Sequence, residues 1–362
     1  MKKALIAMSG GVDSSVAAYL MKKEGYECIG ATMHLYDNED IGIDRSKTCC
    51  SLSDVEDARA VATKLGMPFY VFNFKDDFRE KVIERFVSEY AEGRTPNPCI
   101  DCNRFIKFER FYRRAMELGC DKVVTGHYAT VTRDENTGRF LLKKGADVTK
   151  DQSYVLYSMS QEVLSHTVFP LGTLDKQTVR SIAEENGFVN ARKKDSQDIC
   201  FVPDGDHGAA IERFSGKKYE SGDFIGPDGE VLGTHKGLIH YTIGQRRGLG
   251  LSLKESLYVH HFDTETNKVF LSRNEDLFSS ELVAGEVNWI SMSREEFEDR
   301  AGDGIHCKAR IRYSQRETPA TVFSEGDGRI RLKFDEPVRA VTKGQAVVMY
   351  DGDIVMGGWI IE

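Results

Sequence analysis

Three segments of this 362-residue chain hold residues whose types and spacing suit chemistry. The first is Ser9-Gly10-Gly11-Val12-Asp13-Ser14-Ser15, directly after the apolar run Ala4 to Met8. Glycines permit a tight turn and let backbone N–H groups approach an anion. A helix opening there adds unpaired donors and the positive end of its dipole. Asp13 is a poor neighbour for a phosphate unless a cation lies between, so Mg²⁺ is expected with the phosphates. The string lacks G-K-[ST] and is not a Walker A loop. A plain Gly-Gly turn with a serine cap is the blander alternative, but a loop between the first strand and first helix is a ligand position.

The second segment is Thr95-Pro96-Asn97-Pro98-Cys99-Ile100-Asp101-Cys102-Asn103-Arg104. Its prolines stiffen the approach, and Cys102 falls near the start of a helix, where the dipole, Arg104 and Lys107 are expected to favour the thiolate. The third runs Arg192-Lys193-Lys194-Asp195-Ser196-Gln197-Asp198-Ile199-Cys200. Cys200 in this lysine-rich loop is expected to be accessible and activated. Two thiols distant in sequence and close in space suit persulfide exchange, in which one sulfur carries and the other releases. Cys99-x-x-Cys102 is also half of a zinc spacing, and with Cys200 or Cys49 it is the alternative reading as a zinc or iron–sulfur site, although no second C-x-x-C exists.

Those segments need a scaffold, and the first half supplies a βαβα rhythm. Strands are expected at Ala4–Met8, Glu27–His34, Pro68–Phe74 and Asp121–Thr125. Helices are expected at Asp13–Lys23, Ser53–Leu65 (with Ser53 and Glu56 as a capping box), Asp77–Tyr90 and Cys102–Leu118. This predicts an α/β, doubly wound parallel sheet over residues 1–201. A small central domain is expected over 202–278 and a C-terminal β-barrel over 279–362, where short alternating runs such as Cys307–Tyr313 and Ala346–Met349 appear. No membrane span or signal peptide is apparent, so a cytoplasmic location is expected. In a reducing compartment the eight cysteines are not a disulfide scaffold; Cys28 and Cys120 read as buried fillers, and Cys49 and Cys50 as packing near the 53–65 helix. A net charge of −8 argues mildly against nucleic acid. Lys308, Arg310, Arg312 and Arg316, and Lys236, Arg246 and Arg247, are nevertheless acid-free basic runs.

The glycine loop resembles the PP-loop of N-type ATP pyrophosphatases, which implies activation by AMP with release of pyrophosphate. The loop alone leaves amide synthetases, lysidine synthetases and sulfurtransferases open. Together with Thr95 to Pro98, Cys102-Asn103, Thr125-Gly126-His127-Tyr128-Ala129, Lys150-Asp151-Gln152-Ser153-Tyr154, Asp195 to Cys200 and Tyr241-Thr242-Ile243-Gly244-Gln245-Arg246-Arg247-Gly248, the chain resembles the bacterial tRNA-specific 2-thiouridylases over essentially its full length.

That resemblance implies that Ala7, Met8, Ser9, Gly10, Gly11, Val12, Asp13, Ser14, Met33 and Gly126 bind ATP. It implies that Cys200 carries a persulfide and Cys102 is the nucleophile, through a transient Cys102–Cys200 disulfide. Asn97, Pro98 and Cys99 would lie at the target base. His127, Lys150, Asp151, Gln152, Arg312, Tyr313 and Gln345 would contact tRNA. The implied substrates are the lysine, glutamate and glutamine tRNAs at the wobble uridine, flipped into the α/β domain while the β domains hold the rest. A cysteine desulfurase or sulfur-relay protein would supply sulfur. Some members carry an aspartate, proposed as an acid/base, where this chain has Cys99; that role does not transfer, and Asp101 is the nearest carboxylate.

Overall fold

The computed structural model describes residues 2–42, 52–195 and 199–362. Cys49, Cys50, Ser196, Gln197 and Asp198 lie outside the described residues.

The first part is a parallel sheet of Lys3–Ala7 (β1), Glu27–His34 (β2), Phe69–Asn73 (β3), Lys122–Val124 (β4) and Thr167–Val168 (β7), in the order β3-β2-β1-β4-β7. β1 is apolar from Ala4 to Ala7 because both its faces are covered there. Ala4 and Ile6 face one cluster, with Val16, Ala17 and Met21 of helix α1 (Val12–Lys23); Leu5 and Ala7 face the other, with Phe111 and Val123. Helix α2 (Leu52–Lys64) follows β2. Ser53 lies inside it, so the expected capping box at Ser53 and Glu56 is corrected.

Two further helices contain wide turns. Lys75–Phe78 and Glu84–Ala91 are joined by π-helical Arg79–Ile83 into α3, and Pro98–Asp101 and Phe111–Glu117 by π-helical Cys102–Arg110 into α4. Such wide turns cluster at functional sites because they re-aim side chains without ending the helix. The chain then runs through the hairpin Ala129–Arg133 (β5) and Phe140–Lys144 (β6), helix α5 (Gln161–His166) and helix α6 (Lys176–Glu185).

After helix α7 (His207–Ser215), Gly222–Ile225 (β8), Val231–His235 (β9), Tyr258–Asp263 (β10) and Lys268–Ser272 (β11) form a four-stranded sheet. The last part is a six-stranded antiparallel barrel with a short helix, α8 (Arg294–Arg300). Phe278–Trp289 (β12), Ile305–Arg310 (β13), Thr318–Gly326 (β14), Arg329–Arg339 (β15), Ala346–Asp351 (β16) and Ile354–Ile361 (β17) run in the order β12-β15-β14-β13-β16-β17. β12 closes it, pairing with β15 through Ala284 and with β17 from there to Trp289. Trp359 fills the centre, fully buried, edge-on to Trp289 at 4.6 Å.

The first and last parts are stitched together. Ile354 of β17 pairs with Lys143 of β6, so a hairpin from within residues 1–201 extends the barrel sheet. Tyr154 donates to the Ala346 carbonyl at 2.8 Å, and Asn288 to the carbonyls of Tyr157 and Met159 at 2.6 and 3.0 Å.

Candidate active site

In the sheet order, the chain steps outward from β1 through β2 to β3, then returns to place β4 on the other side of β1. The loops after β1 and β4 diverge at that reversal and leave a crevice at the carboxyl ends of the strands. The phosphate-loop residues follow β1, and Gly126 follows β4. A Cβ on Gly126 would lie 2.8 Å from the Ser14 nitrogen, so the absence of a side chain lets the two loops abut. Gly10 has φ +79° and a Cβ there would run into the backbone of Asp54. Gly11 is the N-cap of α1 without a side-chain cap, and the first helical bond is Ser15 N–H to the Gly11 carbonyl at 3.3 Å. The N–H groups of Val12, Asp13 and Ser14 therefore precede any intrahelical partner and suit an anion. Asn190 braces the loop, donating to the Gly10 carbonyl and to Ser15 Oγ, both at 2.9 Å.

Asp13 corrects an expectation. Its carboxylate is taken by Lys176 Nζ at 2.7 and 2.8 Å and by the Tyr128 hydroxyl at 2.8 Å. This arrangement does not fit a protein-held Mg²⁺ at Asp13. Lys176 also reaches Asp195 at 2.8 Å, and Lys150 and Arg180 reach the same carboxylate at 2.8 and 3.0 Å. Three cations thus converge on Asp195, a few residues before Cys200, and one of them bridges to the phosphate loop.

Next to this loop lies a cavity of about 220 Å³. Its lining includes Ser9 from the glycine loop, Met33 from β2, Cys99, Cys102 and Lys107 from the first half of α4, and Cys200. The distant segments of the sequence thus meet in one chamber. Asn97 makes this possible locally. Its side chain accepts from the Cys99 N–H at 3.1 Å and caps α4, with Pro98 in the first turn where no N–H is needed.

The Cys102 thiol is not pre-ionised, contrary to the expectation from its flanks. Burial pushes the Cys102 thiol up to about 11, against the opposing charge of Lys107. Arg104 contributes little, because it turns over the Phe105 ring and toward Glu286 at 3.9 Å. Cys99 stands exposed at the mouth, and its thiol is also raised by its surroundings. Cys200 is half-buried and packs against the main apolar cluster, not in an open basic loop. The flanking Lys193 serves the phosphate loop instead, with Nζ on Asp54, on Asp57 at 2.6 Å and on the Gly10 carbonyl at 3.4 Å. Cys102 and Cys200 are not joined in this structure. Cys28 and Cys120 are buried, as expected. Among the described residues, no three His, Cys, Asp or Glu side chains are grouped to hold a metal ion.

Asp101 does not replace the missing carboxylate of position 99. It is buried beside Arg85 at 3.6 Å, does not line the cavity, and burial raises it to about 6.

A family model described as the tRNA methyl transferase HUP domain matches residues 2–204. Models described as the tRNA methyl transferase PRC-barrel domain and the aminomethyltransferase beta-barrel domain match residues 209–273 and 279–361. A tRNA-specific 2-thiouridylase of Clostridioides difficile (strain 630) is 52% identical over 361 residues, covering 100% of this chain and 98% of its own. A second, from Acetivibrio thermocellus, is 49% identical over 365 residues, covering 100% and 99%. The chain belongs to the tRNA-specific 2-thiouridylase family. A solved 4-thiouridine synthetase–RNA complex with bound ATP aligns over 59% of this chain and 50% of its own at 22% identity, with a TM-score of 0.38, too low to carry an argument.

In this 2-thiouridylase family member, several positions matched to tRNA contacts are structural joints. Asp151 is buried, pairs with Arg310 at 3.0 Å and accepts from Ser153 at 2.9 Å. Gln152 accepts from the Tyr128 N–H at 3.0 Å, next to Gly126 and His127. Arg312 donates to the carbonyls of Ile243 and Ala340 at 3.0 and 3.1 Å, tying the central sheet to the barrel. Gln345 donates to the Thr95 carbonyl at 2.7 Å and holds the Pro96–Pro98 segment against the barrel. His127 is buried between Phe108 and Phe169. Tyr313 is 41% exposed, and Lys150 is half-buried.

Lys176, Arg180, Asn190 and Tyr36 escaped the sequence reading. Lys176 and Arg180 sit one turn apart on a polar-faced helix, which is an ordinary surface pattern. Only the return of α6 against α1 makes them part of the site. No helix among the described residues is long and apolar enough to cross a membrane.

Proposed function

We propose that this chain is an ATP-dependent tRNA-uridine 2-sulfurtransferase acting on the wobble uridine of the lysine, glutamate and glutamine tRNAs. One observation carries the reading: Cys99, Cys102 and Cys200 line a single chamber with Ser9 of the phosphate loop. Thiol chemistry and nucleotide activation then act on the same carbonyl group, ATP on its oxygen and sulfur on its carbon.

ATP binds with its phosphates over the open N-terminus of α1. Gly10, Gly11 and Gly126 provide the close approach, and Met33 and Ala7 lie toward the nucleoside. Mg²⁺ would enter with the triphosphate, since Asp13 is committed to Lys176 and Tyr128. The uracil O2 attacks the α-phosphorus and pyrophosphate leaves. A cysteine desulfurase or relay protein loads Cys200 with an outer sulfur. The Cys102 thiolate then attacks the Cys200 inner sulfur, forming a Cys102–Cys200 disulfide and expelling hydrosulfide. Hydrosulfide adds at C2, and AMP departs with the original oxygen. An external thiol reductant reopens the disulfide. Asn97 and Pro98 set the wall beside the base, and Tyr313 with the Arg310–Arg316 basic run offers stacking and phosphate contacts.

The test is reconstitution with ATP, Mg²⁺, a persulfide source and unmodified tRNA, followed by nucleoside mass spectrometry. The expected product is 2-thiouridine with stoichiometric pyrophosphate and AMP. A folded, tRNA-binding protein that yields neither contradicts the reading.

A further inference from the structure

Lys107 reaches the cavity from the π-helical part of α4, and among the described residues lining that cavity it carries the sole charge. Among the described residues, the nearby carboxylates are committed elsewhere: Asp101 faces Arg85 at 3.6 Å, and Glu286 faces Arg85 and Arg104 at 3.3 and 3.9 Å. The polar partner of Lys107 among the described residues is the His127 imidazole, with Nζ 3.4 Å from Nε2. An ammonium has no lone pair, so Nε2 must be the acceptor. The ring hydrogen then sits on Nδ1, which donates to Thr125 Oγ1 at 2.6 Å. Phe108 and Phe169 hold the ring at centroid distances of 6.0 and 5.7 Å. Burial, with the Lys107 charge adding to it, keeps His127 neutral, its pKa well below the usual imidazole range. A protonated ring would lose its acceptor and set two cations against each other out of water.

We propose that His127 is a positioning residue: as a neutral imidazole fixed by Thr125, it accepts from Lys107 and holds that ammonium in the cavity, where it supports the Cys102 thiolate. The relay runs Thr125–His127–Lys107–Cys102. It rests on the reading of Cys102 as the nucleophile. Among the described residues, the groups acting on the Cys102 thiol are few. Lys107 favours the anion, while burial, Cys99 and Asp101 oppose it. A wide-turned helix explains how Lys107, five residues along, can serve the same chamber as Cys102.

The test is iodoacetamide labelling of the full chain without ATP or tRNA, across about pH 7.5 to 10, with Cys102 resolved from Cys99 by fragmentation mass spectrometry. Lys107→Met should lower the Cys102 rate about threefold for each unit its pKa rises. Thiolate falls tenfold, and the more basic sulfur recovers about half of that on a log scale. Lys107→Arg should restore the rate to within about twofold. His127→Phe keeps an aromatic ring but no acceptor, and should lower the rate in the same direction. Lys107→Gln serves if the methionine variant does not fold. An unchanged Cys102 profile in a folded Lys107→Met or Lys107→Gln protein overturns the proposal. So does a His127→Phe profile that stays at wild type while Lys107→Met moves. A protein that shows this coupling yet makes no 2-thiouridine contradicts the proposed function and leaves the relay standing.

Discussion

The Tyr36 hydroxyl donates to the carbonyl oxygen of Cys200 at 2.8 Å, fixing the sulfur-bearing segment to the chain just beyond β2. Phe201 reinforces it, packed edge-on against Phe78 and Phe86 at 5.7 and 5.3 Å. Tyr36→Phe removes the polar tie and keeps the ring. One such bond contributes about 1 kcal/mol, so thiolation should slow about fivefold. Pyrophosphate release, measured in parallel, should not change.

Gly10→Ala should disable the nucleotide site. A left-handed backbone at φ +79° strains a non-glycine residue by about 1–3 kcal/mol before the contact with Asp54 is counted. Thermal unfolding should show a lower Tm, and the upward shift on adding ATP should vanish. A retained ATP shift would place the phosphates elsewhere.

Lys176→Met should leave two carboxylates, Asp13 and Asp195, without their shared cation next to incoming phosphates. The KM for ATP should rise about tenfold, the cost of a partly buried charge pair turned repulsive. Affinity for tRNA, measured by filter binding, should stay within about twofold of wild type.

Asp101 gives a pH signature. Its folded pKa, about 6, lies above the ordinary carboxylate value, so its contribution to stability is full at low pH and is lost as pH rises through 6. Asn cannot ionise. The stability of Asp101→Asn relative to wild type should therefore increase between about pH 5 and pH 8, by about 1.4 kcal/mol. A difference that shrinks over that range would mean the Arg85 pair dominates. Thiolation should persist in this variant, since the carboxylate faces Arg85 and not the cavity.

The scaffold was legible where periodicity and loop chemistry agree. The apolar run of β1, the glycines after it and the strand at Glu27–His34 all fall where the pattern puts them. Cys102 and Cys200 stood out because prolines and lysines flank them. Their electrostatics did not follow from those flanks. Lys193 turns to Asp54 and Asp57, and Arg104 turns to Glu286, so the charge beside a cysteine in sequence is not the charge beside its sulfur. The β5–β6 hairpin and the Lys176 bridge were hidden for the same reason, since their partners lie 208 and 163 residues away along the chain. The wide turns in α3 and α4 have no simple residue signature.

The central claim is that Cys102 releases sulfur from Cys200 while ATP activates the base. The most direct measurement is a single turnover of persulfide-loaded protein with ATP and unmodified tRNA, without reductant, followed by intact-disulfide mass spectrometry. The account predicts one Cys102–Cys200 disulfide for each 2-thiouridine formed. Formation of 2-thiouridine with Cys102 still fully alkylatable would contradict it.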